Sequence, residues 1–123
     1  SMIYTIEGRP ISINSARAAV KVKGVPRLIT TKKARDWKTK AAWSLIAQRG
    51  TAPCICGPCE VSLTIYLPTR AGDADNYVKM VLDALQTAAI IANDRQVQQL
   101  TVRKEVDKAR PRVEISIATR KAA

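Results

Sequence analysis

The stretch that decides the fold is residues 60–67, Glu-Val-Ser-Leu-Thr-Ile-Tyr-Leu, where apolar and more polar side chains alternate. An alternation with a period of two residues is the pattern of a β-strand that buries one face. The inward positions are Val61, Leu63, Ile65 and Leu67. Pro68 cannot donate to a sheet ladder and ends the run. The sequence therefore predicts a half-buried strand in the middle of the chain.

A helix is predicted after this strand, over residues 75–86. Tyr77, Val81 and Leu85 recur every four residues, which places them on one helical face. The other predicted elements are strands at 2–7, 96–106 and 112–118, a helix from Thr30 or Thr31 to about Gln48, and a brief strand at Ile90–Ile91.

Two connections complete the predicted layout. Residues 96–106 and 112–118 both alternate and are separated by a short turn, so we predict that they pair as a hairpin, with Leu100, Val102 and Val106 on one face of the first strand. Residues 8–29 lack a clear period and contain Gly, Pro and five basic residues. They are predicted to form a long, flexible, basic loop.

The order of elements predicts an α+β (α/β-like) domain in which two main helices pack on a small mixed β-sheet. We expect residues 2–120 to form a single domain, because a chain of 123 residues leaves little for a second one to bury. Ser1 before Met2 is interpreted as the remnant of a removed tag, and residues 121–123 as a tail. The chain has no Phe, so its core is modest and a dimer would bury more surface.

Composition narrows the class of function. Lys and Arg number 21 against 10 Asp and Glu, a formal charge of +11, and a small protein this basic usually binds a polyanion. The absence of histidine excludes Ser-His and Cys-His catalysis and every His-ligated metal site. No apolar run reaches the roughly 18 residues of a membrane span, and residues 2–10 do not resemble a signal peptide, so we expect a cytoplasmic protein.

The charge is unevenly distributed along the chain. Residues 9–49 contain eleven basic residues and one acid, whereas residues 73–94 contain four acids and one base. An acidic cluster within a polyanion-binding surface repels nucleic acid unless a cation lies in it. A divalent metal ion would resolve this conflict. The alternative is that two solvated surfaces of opposite charge simply lie side by side.

The acidic segment holds the candidate site. Asp73 and Asp75 flank one residue in a loop leading into a helix, and both carboxylates can point to the same side if that loop is extended. Lys79 lies one helical turn after Asp75, and Asp94 lies in the next loop. Carboxylates without histidine suit Mg²⁺, which polarises a phosphodiester and activates a bound water. A nearby ammonium stabilises the developing charge, so the set indicates a metal-dependent nuclease.

Each of these residues also has an ordinary structural explanation. An Asp before a helix is most often an N-cap. Lys79 beside Asp75 or Asp83 is commonly a surface ion pair, and Asp94 after Asn93 is commonly a turn residue. The residues alone therefore leave the nuclease as one of several interpretations.

The pattern Asp-x-Asp-Asn-x-x-Lys-x-x-x-Asp-Ala-Leu at 73–85, followed by Asp-Arg-Gln-Val at 94–97, resembles the RusA family of Holliday junction resolvases. The resemblance implies a homodimeric endodeoxyribonuclease that needs Mg²⁺, or alternatively Mn²⁺, and cuts four-way DNA junctions by paired symmetric hydrolysis. It also implies a bacterial host and a phage or prophage origin. The implied catalytic residues are Asp73, Asp75, Lys79 and Asp94, and the three aspartates among them would bind the metal. Supporting roles fall to Asp83 and Asn93.

The chain departs from the family pattern at two positions. The family often has two consecutive acids where this chain has Asn93 and Asp94, and a neutral Asn would weaken metal binding. Members often carry a basic residue before the first Asp, where this chain has Gly72, and Arg70 is the nearest base. The basic residues expected to contact DNA phosphates are Arg17, Lys21, Lys23, Arg27, Lys32, Lys33, Arg35, Lys38 and Arg70. We expect neither a small-molecule substrate nor a membrane partner.

Three cysteines, Cys54, Cys56 and Cys59, lie within six residues. A structural zinc site needs four ligands and the chain offers no histidine as the fourth, so we expect free thiols and no tightly bound zinc. The rival functions are a basic nucleic-acid-binding protein without catalysis, a family member that binds junctions but no longer cuts them, and a nuclease for other branched DNA. Composition does not separate these rivals.

Overall fold

The computed structural model describes residues 2–120, so Ser1 and residues 121–123, the expected tag remnant and tail, lie outside the described part of the chain. The strands are β1 (Met2–Glu7), β2 (Arg17–Val22), β3 (Val25–Thr30), β4 (Cys59–Leu67), β5 (Val97–Val106) and β6 (Arg112–Thr119). The α-helices are α1 (Ile13–Ala16), α2 (Lys32–Arg49) and α3 (Val78–Thr87), and short 3₁₀ helices cover Ala74–Tyr77 and Asp94–Gln96.

The main sheet has four strands in the order β1-β6-β4-β5. β4 runs antiparallel to β6 and parallel to β5, which makes the sheet mixed as predicted. The alternating residues of β4 face those of β6 in register, for example Leu63 opposite Ile115 and Ile65 opposite Val113. All four side chains are buried in one core with Leu45 of α2 and residues of α3. The predicted α+β architecture with two main helices packed on a sheet is therefore confirmed.

The predicted hairpin of the last two strands is wrong. β6 lies between β1 and β4, whereas β5 pairs with β4 at the edge of the sheet, so β5 and β6 do not contact each other as neighbours. An alternating strand pattern shows which face is buried but carries no information about which strand lies alongside. The chain crosses from β4 to the parallel strand β5 through α3, and such a crossover replaces the hairpin.

The edge position of β5 also leaves much of its apolar face exposed. Leu100 and Val106 share a face with the buried residues of β4, yet their exposed fractions are 41% and 49%. Val102 is partly buried. The helices cover the centre of the sheet more completely than its edge. The apolar alternation in the sequence of β5 is therefore not matched by burial of its side chains.

The long flexible loop predicted for residues 8–29 is wrong as well. These residues contain α1 and the two strands β2 and β3, which pair with each other as a separate ribbon. The ribbon turns at Lys23 and Gly24, which have φ of 52° and 79°. Two central residues with positive φ make a type I′ hairpin turn, the form that matches the twist of paired strands.

The sequence did not predict the β2–β3 ribbon, because neither face of the ribbon is buried. Every residue of β3 is exposed, so no face selects apolar residues and no period-two pattern develops. Lys21 and Arg27 project from a mixed surface that also exposes Leu28 and Val25. The dipeptide Lys23-Gly24 between short apolar runs was the signal that could have identified the turn.

The long helix α2 begins and ends where the sequence predicts. Thr31 caps it by accepting a hydrogen bond from the amide of Ala34, and Gly50 ends it with φ 58°. Trp37 packs partly against the core, whereas Trp43 on another face is 69% exposed. Within residues 2–120, no helix combines the length and apolar character needed to cross a membrane.

The central strand gives a direct test of this core. Leu63 is 1% exposed, and its truncation in Leu63→Ala is expected to lower the free energy of unfolding by about 2–5 kcal/mol, through lost burial and an unfilled cavity. Urea unfolding at fixed protein concentration measures the change. Ile3→Ala, at a position 75% exposed, is the control and should cost less than about 1 kcal/mol. Equal losses in the two variants would contradict the assigned core.

Candidate functional site

Asp73 and Asp75 lie in the short segment that leads from β4 into α3. Asp73 has extended backbone, with φ −88° and ψ 138°, and its own carbonyl accepts the amide of Asn76 to close the turn. Its carboxylate makes no capping hydrogen bond. Within residues 2–120, neither the Asp73 nor the Asp75 side chain forms a hydrogen bond or ion pair, and both residues are exposed. Both carboxylates are therefore available to a ligand, and the capping explanation does not account for Asp73.

Lys79 on α3 joins two other acids of the cluster. Its Nζ lies 2.9 Å from Oδ1 of Asp83 and 3.8 Å from Oδ2 of Asp94. The second carboxylate oxygen of Asp83 lies 3.8 Å from Nζ of Lys38 on α2. Asp83 thus holds Lys79 in place and links it to α2.

The predicted neighbour relation between Lys79 and Asp75 is not present among the described residues, where Lys79 pairs with Asp83 and Asp94 instead. The i, i+4 spacing brings side chains together only within an α-helix. Asp75 belongs to the 3₁₀ helix Ala74–Tyr77, and α3 begins at Val78. The i, i+4 relation therefore does not apply to Asp75 and Lys79, because α3 starts only at Val78.

The charges around Lys79 keep it protonated. Its hydrogen bond to the Asp83 carboxylate is the main cause that raises the pKa of the ammonium, and the charges of Asp83 and Asp94 act in the same direction. Burial and the nearby cation of Arg17 oppose the increase. A pKa above the ordinary 10.5 leaves Lys79 fully charged at neutral pH. The position can therefore supply a fixed positive charge but not a general base.

Asp94 is fixed by glutamine side chains that the sequence did not single out. Its amide donates to Oε1 of Gln86 on α3 at 3.0 Å. Gln96 accepts the amide of Asn93 at 2.6 Å and donates to the carbonyls of Ile55 and Gly57 at 2.6 and 2.9 Å. These bonds tie the short turn that carries Asp94 to α3 on one side and to the loop before β4 on the other. Nothing in the spacing of the glutamines revealed this role.

Asn93 takes a structural part in this turn. Its Oδ1 accepts hydrogen bonds from the backbone amide of Arg95 at 2.9 Å and from Nε of Arg95 at 3.2 Å. With Gln96 it forms a reciprocal capping box around the 3₁₀ helix Asp94–Gln96. The amide oxygen of Asn93, a residue for which the resemblance implies a supporting role, is therefore engaged by Arg95.

The donor set has the chemistry of a hard-cation site. Asp73, Asp75 and Asp94 offer oxygen ligands, which Mg²⁺ and Mn²⁺ prefer. Within residues 2–120, no three His, Cys, Asp or Glu residues are gathered closely enough to hold a metal ion by themselves. Mg²⁺ commonly binds through one or two carboxylates and takes its remaining ligands from water and substrate phosphate. The two unpaired carboxylates, Asp73 and Asp75, fit that mode.

A shallow groove of about 530 Å³ adjoins the acidic cluster. Asp75 and Lys79 lie on its rim, and its apolar lining includes Leu82 of α3 and Leu100 of β5. Leu100 and Val102 of the edge strand thus form one wall of a groove that opens beside the charged groups.

The structure brings two of the predicted DNA-contacting residues close to charged groups of this cluster. Arg17 lies near enough for its charge to act on Lys79, and Lys38 approaches Asp83. The rest form exposed basic groups outside the cluster. They are Lys21, Lys23 and Arg27 on the β2–β3 ribbon, Lys32, Lys33 and Arg35 in the first turn of α2, and Arg70 in the loop before Asp73.

The cysteines divide between the core and a loop. Cys59 begins β4 and is buried, and this burial raises the pKa of its thiol. Cys54 is partly buried and Cys56 is exposed. All three are free thiols, and they do not form a group of three metal ligands within the described chain. Cys59 thus has a packing role.

Comparisons with known proteins agree on one family. A family model described as endodeoxyribonuclease RusA matches residues 7–118, which includes the whole acidic cluster. The chain is also 32% identical over 84 residues to a protein of Aquifex aeolicus (strain VF5) named crossover junction endodeoxyribonuclease RusA. That match covers 67% of this chain and 65% of the relative. Since the family model covers β4, β5, nearly all of β6, both main helices and the candidate site, the chain belongs to the RusA endodeoxyribonuclease family.

Proposed function

We propose that this protein is a metal-dependent endodeoxyribonuclease that resolves four-way DNA junctions by paired symmetric hydrolysis of phosphodiester bonds. The observation that carries the proposal is the arrangement of charges at the start of α3. Asp73 and Asp75 present carboxylates without protein partners, and Lys79 places an ammonium between Asp83 and Asp94. Family membership and the name of the Aquifex aeolicus relative support the same activity.

Each residue of the cluster has a proposed role. Asp73 and Asp75 would hold Mg²⁺ or Mn²⁺ together with an oxygen of the scissile phosphate, and Asp94 would join them once metal and DNA are bound. The metal, when bound, would activate a water and polarise the phosphodiester. Lys79 would stabilise negative charge on the phosphate or on the leaving oxygen, because its raised pKa keeps it charged. Asp83 would hold the Lys79 ammonium in position through the 2.9 Å contact.

The basic surface around the cluster supports DNA as the substrate. The first turn of α2 contains Lys32, Lys33 and Arg35 and no acid. Cations at a helix N-terminus oppose the helix dipole, whereas phosphate at that place is favoured by both the dipole and the charges. The ribbon adds Lys21 and Arg27 on strands that expose all or most of their residues. We propose that both surfaces contact backbone phosphates and so provide affinity without reading sequence.

The salt dependence of junction binding tests these contacts. With about six phosphates neutralised, log affinity is expected to fall with log salt concentration at a slope of about −5. The double variant Lys21→Ala, Arg27→Ala should reduce the magnitude of the slope by about 2, because each lysine or arginine displaces about one counterion. The control is Arg103→Ala, Lys108→Ala, which removes the same charge elsewhere. Equal slopes for the two double variants would remove the ribbon from the DNA-binding surface.

We also propose that the active species is a homodimer. Two nicks at symmetric positions require two sites, which a two-fold axis supplies. Exposed apolar residues, including Trp43 and Leu28, leave surface that a second copy would cover. Sedimentation velocity across a range of concentrations measures this state, and a single-chain mass at every concentration would contradict the dimer. The protein would act in the cytoplasm of a bacterial host, encoded by a phage or prophage.

The proposed activity is tested with a synthetic mobile four-way junction beside a linear duplex, each with and without Mg²⁺. We expect nicks in the junction that require Mg²⁺ and no comparable cleavage of the duplex. Tight binding of the junction without nicks would identify a non-catalytic binding protein. Equal cleavage of the linear duplex would reduce the claim to a general nuclease, and preferred cleavage of flaps or forks would reassign the branched substrate.

A further inference from the structure

One lysine of the edge strand holds the backbone that leads into Asp73. Nζ of Lys104 donates to the carbonyl oxygens of Arg70 at 2.9 Å and of Gly72 at 2.7 Å. Lys104 lies in β5 opposite the buried Ile65, at a position where the alternation of Val102 and Val106 calls for an apolar residue. The ammonium of Lys104 therefore forms its hydrogen bonds with carbonyl oxygens of the loop.

The same loop is fixed from a second side by Tyr77. Gly72 has φ 97°, a conformation that residues with a side chain rarely adopt. A Cβ atom at Gly72 would lie 2.7 Å from the hydroxyl oxygen of Tyr77, which is itself largely buried. The loop backbone therefore lies directly on the Tyr77 side chain. Lys104 and Tyr77 together restrict the peptide unit that immediately precedes Asp73.

We propose that Lys104 is a positioning residue for the nuclease site, which holds the Arg70–Gly72 backbone so that Asp73 is presented beside Asp75. An ammonium forms charge-assisted hydrogen bonds that are roughly twice as strong as neutral ones, and two of them here close on carbonyls two residues apart. Asp73 follows Gly72 directly, so the direction of its carboxylate depends on this backbone.

Lys104 acts through the loop and not on the reacting atoms. Within residues 2–120, its ammonium forms no ion pair, and its described hydrogen bonds both go to backbone carbonyls. The proposal rests on the nuclease function proposed above, because it assigns Lys104 a part in presenting a residue of that site. The two hydrogen bonds from Lys104 to the carbonyls of Arg70 and Gly72, called the clamp below, are present in the free protein. They can therefore be measured without DNA or metal.

Limited proteolysis measures the clamp in the free protein. Trypsin cleaves after Arg70 only when this exposed loop opens, so its rate reports how firmly Lys104 holds the backbone. Lys104→Met is expected to raise the rate of cleavage after Arg70 at least about fivefold over the unmodified protein, followed by mass spectrometry. The matched control Arg103→Met removes one positive charge from the neighbouring residue of β5 and should stay within about twofold.

Kinetics then measure the effect on the site. With the four-way junction as substrate, Lys104→Met is expected to lower kcat about tenfold while KM for the junction changes less than about twofold, because a misplaced carboxylate impairs the chemical step and not DNA binding. The variant should also need a higher Mg²⁺ concentration for half-maximal rate. Lys104→Arg, which keeps the charge and the donors, should recover part of kcat.

The outcomes separate this inference from the proposed function. If the unmodified protein fails to cut junctions but Lys104→Met opens the loop to trypsin, the nuclease function fails and the clamp stands without a catalytic part. If Lys104→Met matches Arg103→Met in both proteolysis and kcat, the inference is overturned. Should Lys104→Met fail to fold, the clamp is tested in the unmodified protein by NMR, which measures how fast the Lys104 ammonium protons exchange with water. A Lys104 ammonium in slow exchange with water supports the clamp, and fast exchange contradicts it.

Discussion

Asp75→Asn is expected to lower the rate of junction cleavage by at least about 100-fold, while affinity for the junction stays within about threefold of the unmodified protein. The substitution keeps the size of the side chain and removes the negative charge that a divalent cation needs. The Asp75 side chain is exposed and has no described hydrogen bond, so its replacement should leave the fold intact. Single-turnover cleavage and a gel-shift titration with the same junction measure the two quantities.

Asp36→Asn is the matched control for this prediction. Asp36 is an exposed aspartate of α2 and lies outside the acidic cluster. The same chemical change there should leave the cleavage rate within about twofold. A rate for Asp75→Asn that stays close to that of Asp36→Asn would remove Asp75 from the catalytic machinery.

Lys79→Met is expected to lower kcat about 30- to 100-fold, because it removes the fixed positive charge that would stabilise the transition state. Lys79→Arg keeps the charge but changes its shape and should recover part of the activity. The pKa of Lys79 is raised above 10.5 in the folded protein, so its charge is present at low and neutral pH and is lost only as pH rises through that raised value. Activity measured between about pH 7 and 9 should therefore show no step that belongs to Lys79.

Lys108→Met controls for the loss of one positive charge from a basic protein. Lys108 lies in the exposed turn between β5 and β6. Its replacement should change kcat by less than about twofold. If Lys79→Met behaves like Lys108→Met at saturating junction concentration, or if kcat falls in the neutral range with the titration of Lys79, the proposed role of Lys79 is wrong.

The parts of the fold that the sequence predicted are those in which one face is buried. β4 and β6 alternate because their inner residues form the core, and α2 carries a threonine cap and a terminal glycine. Burial of one face and capping of a helix both produce patterns that can be recognised over a few neighbouring residues. The strands of the main sheet and the helix α2 could therefore be placed from single residues and their spacing, whereas α3 begins at Val78 and not at Asp75.

The parts of the fold that were not predicted depend on contacts with segments that are distant in the sequence. The β2–β3 ribbon buries neither face and so has no period. The position of β6 between β1 and β4 is a property of the whole sheet, which no local pattern encodes. The strands β5 and β6 were predicted but not their neighbours, whereas β2 and β3 were not predicted as strands, and tertiary contacts determine both outcomes.

The candidate site was predicted as a set of residues but not as a geometry. Asp73, Asp75, Lys79 and Asp94 lie on the segments surrounding α3, yet Lys79 pairs with Asp83 and Asp94 because Asp75 belongs to a 3₁₀ turn. The supporting bonds from Gln86 and Lys104 join segments 8 and more than 30 residues apart. The supporting role of Lys104 could have been suspected, because a lysine is unusual on the apolar face of β5. No feature of the sequence indicated the role of Gln86.

The most direct test of the account is a strand-by-strand map of junction cleavage. Each of the four strands of a mobile junction is labelled in turn, and the products formed with Mg²⁺ are compared for the unmodified protein and Asp75→Asn. The account predicts nicks at symmetric positions in one pair of opposite strands, dependent on Mg²⁺ and absent from the variant. Unpaired or scattered nicks, or equal products from Asp75→Asn, would contradict the central claim that this acidic cluster is the centre of a junction-resolving nuclease.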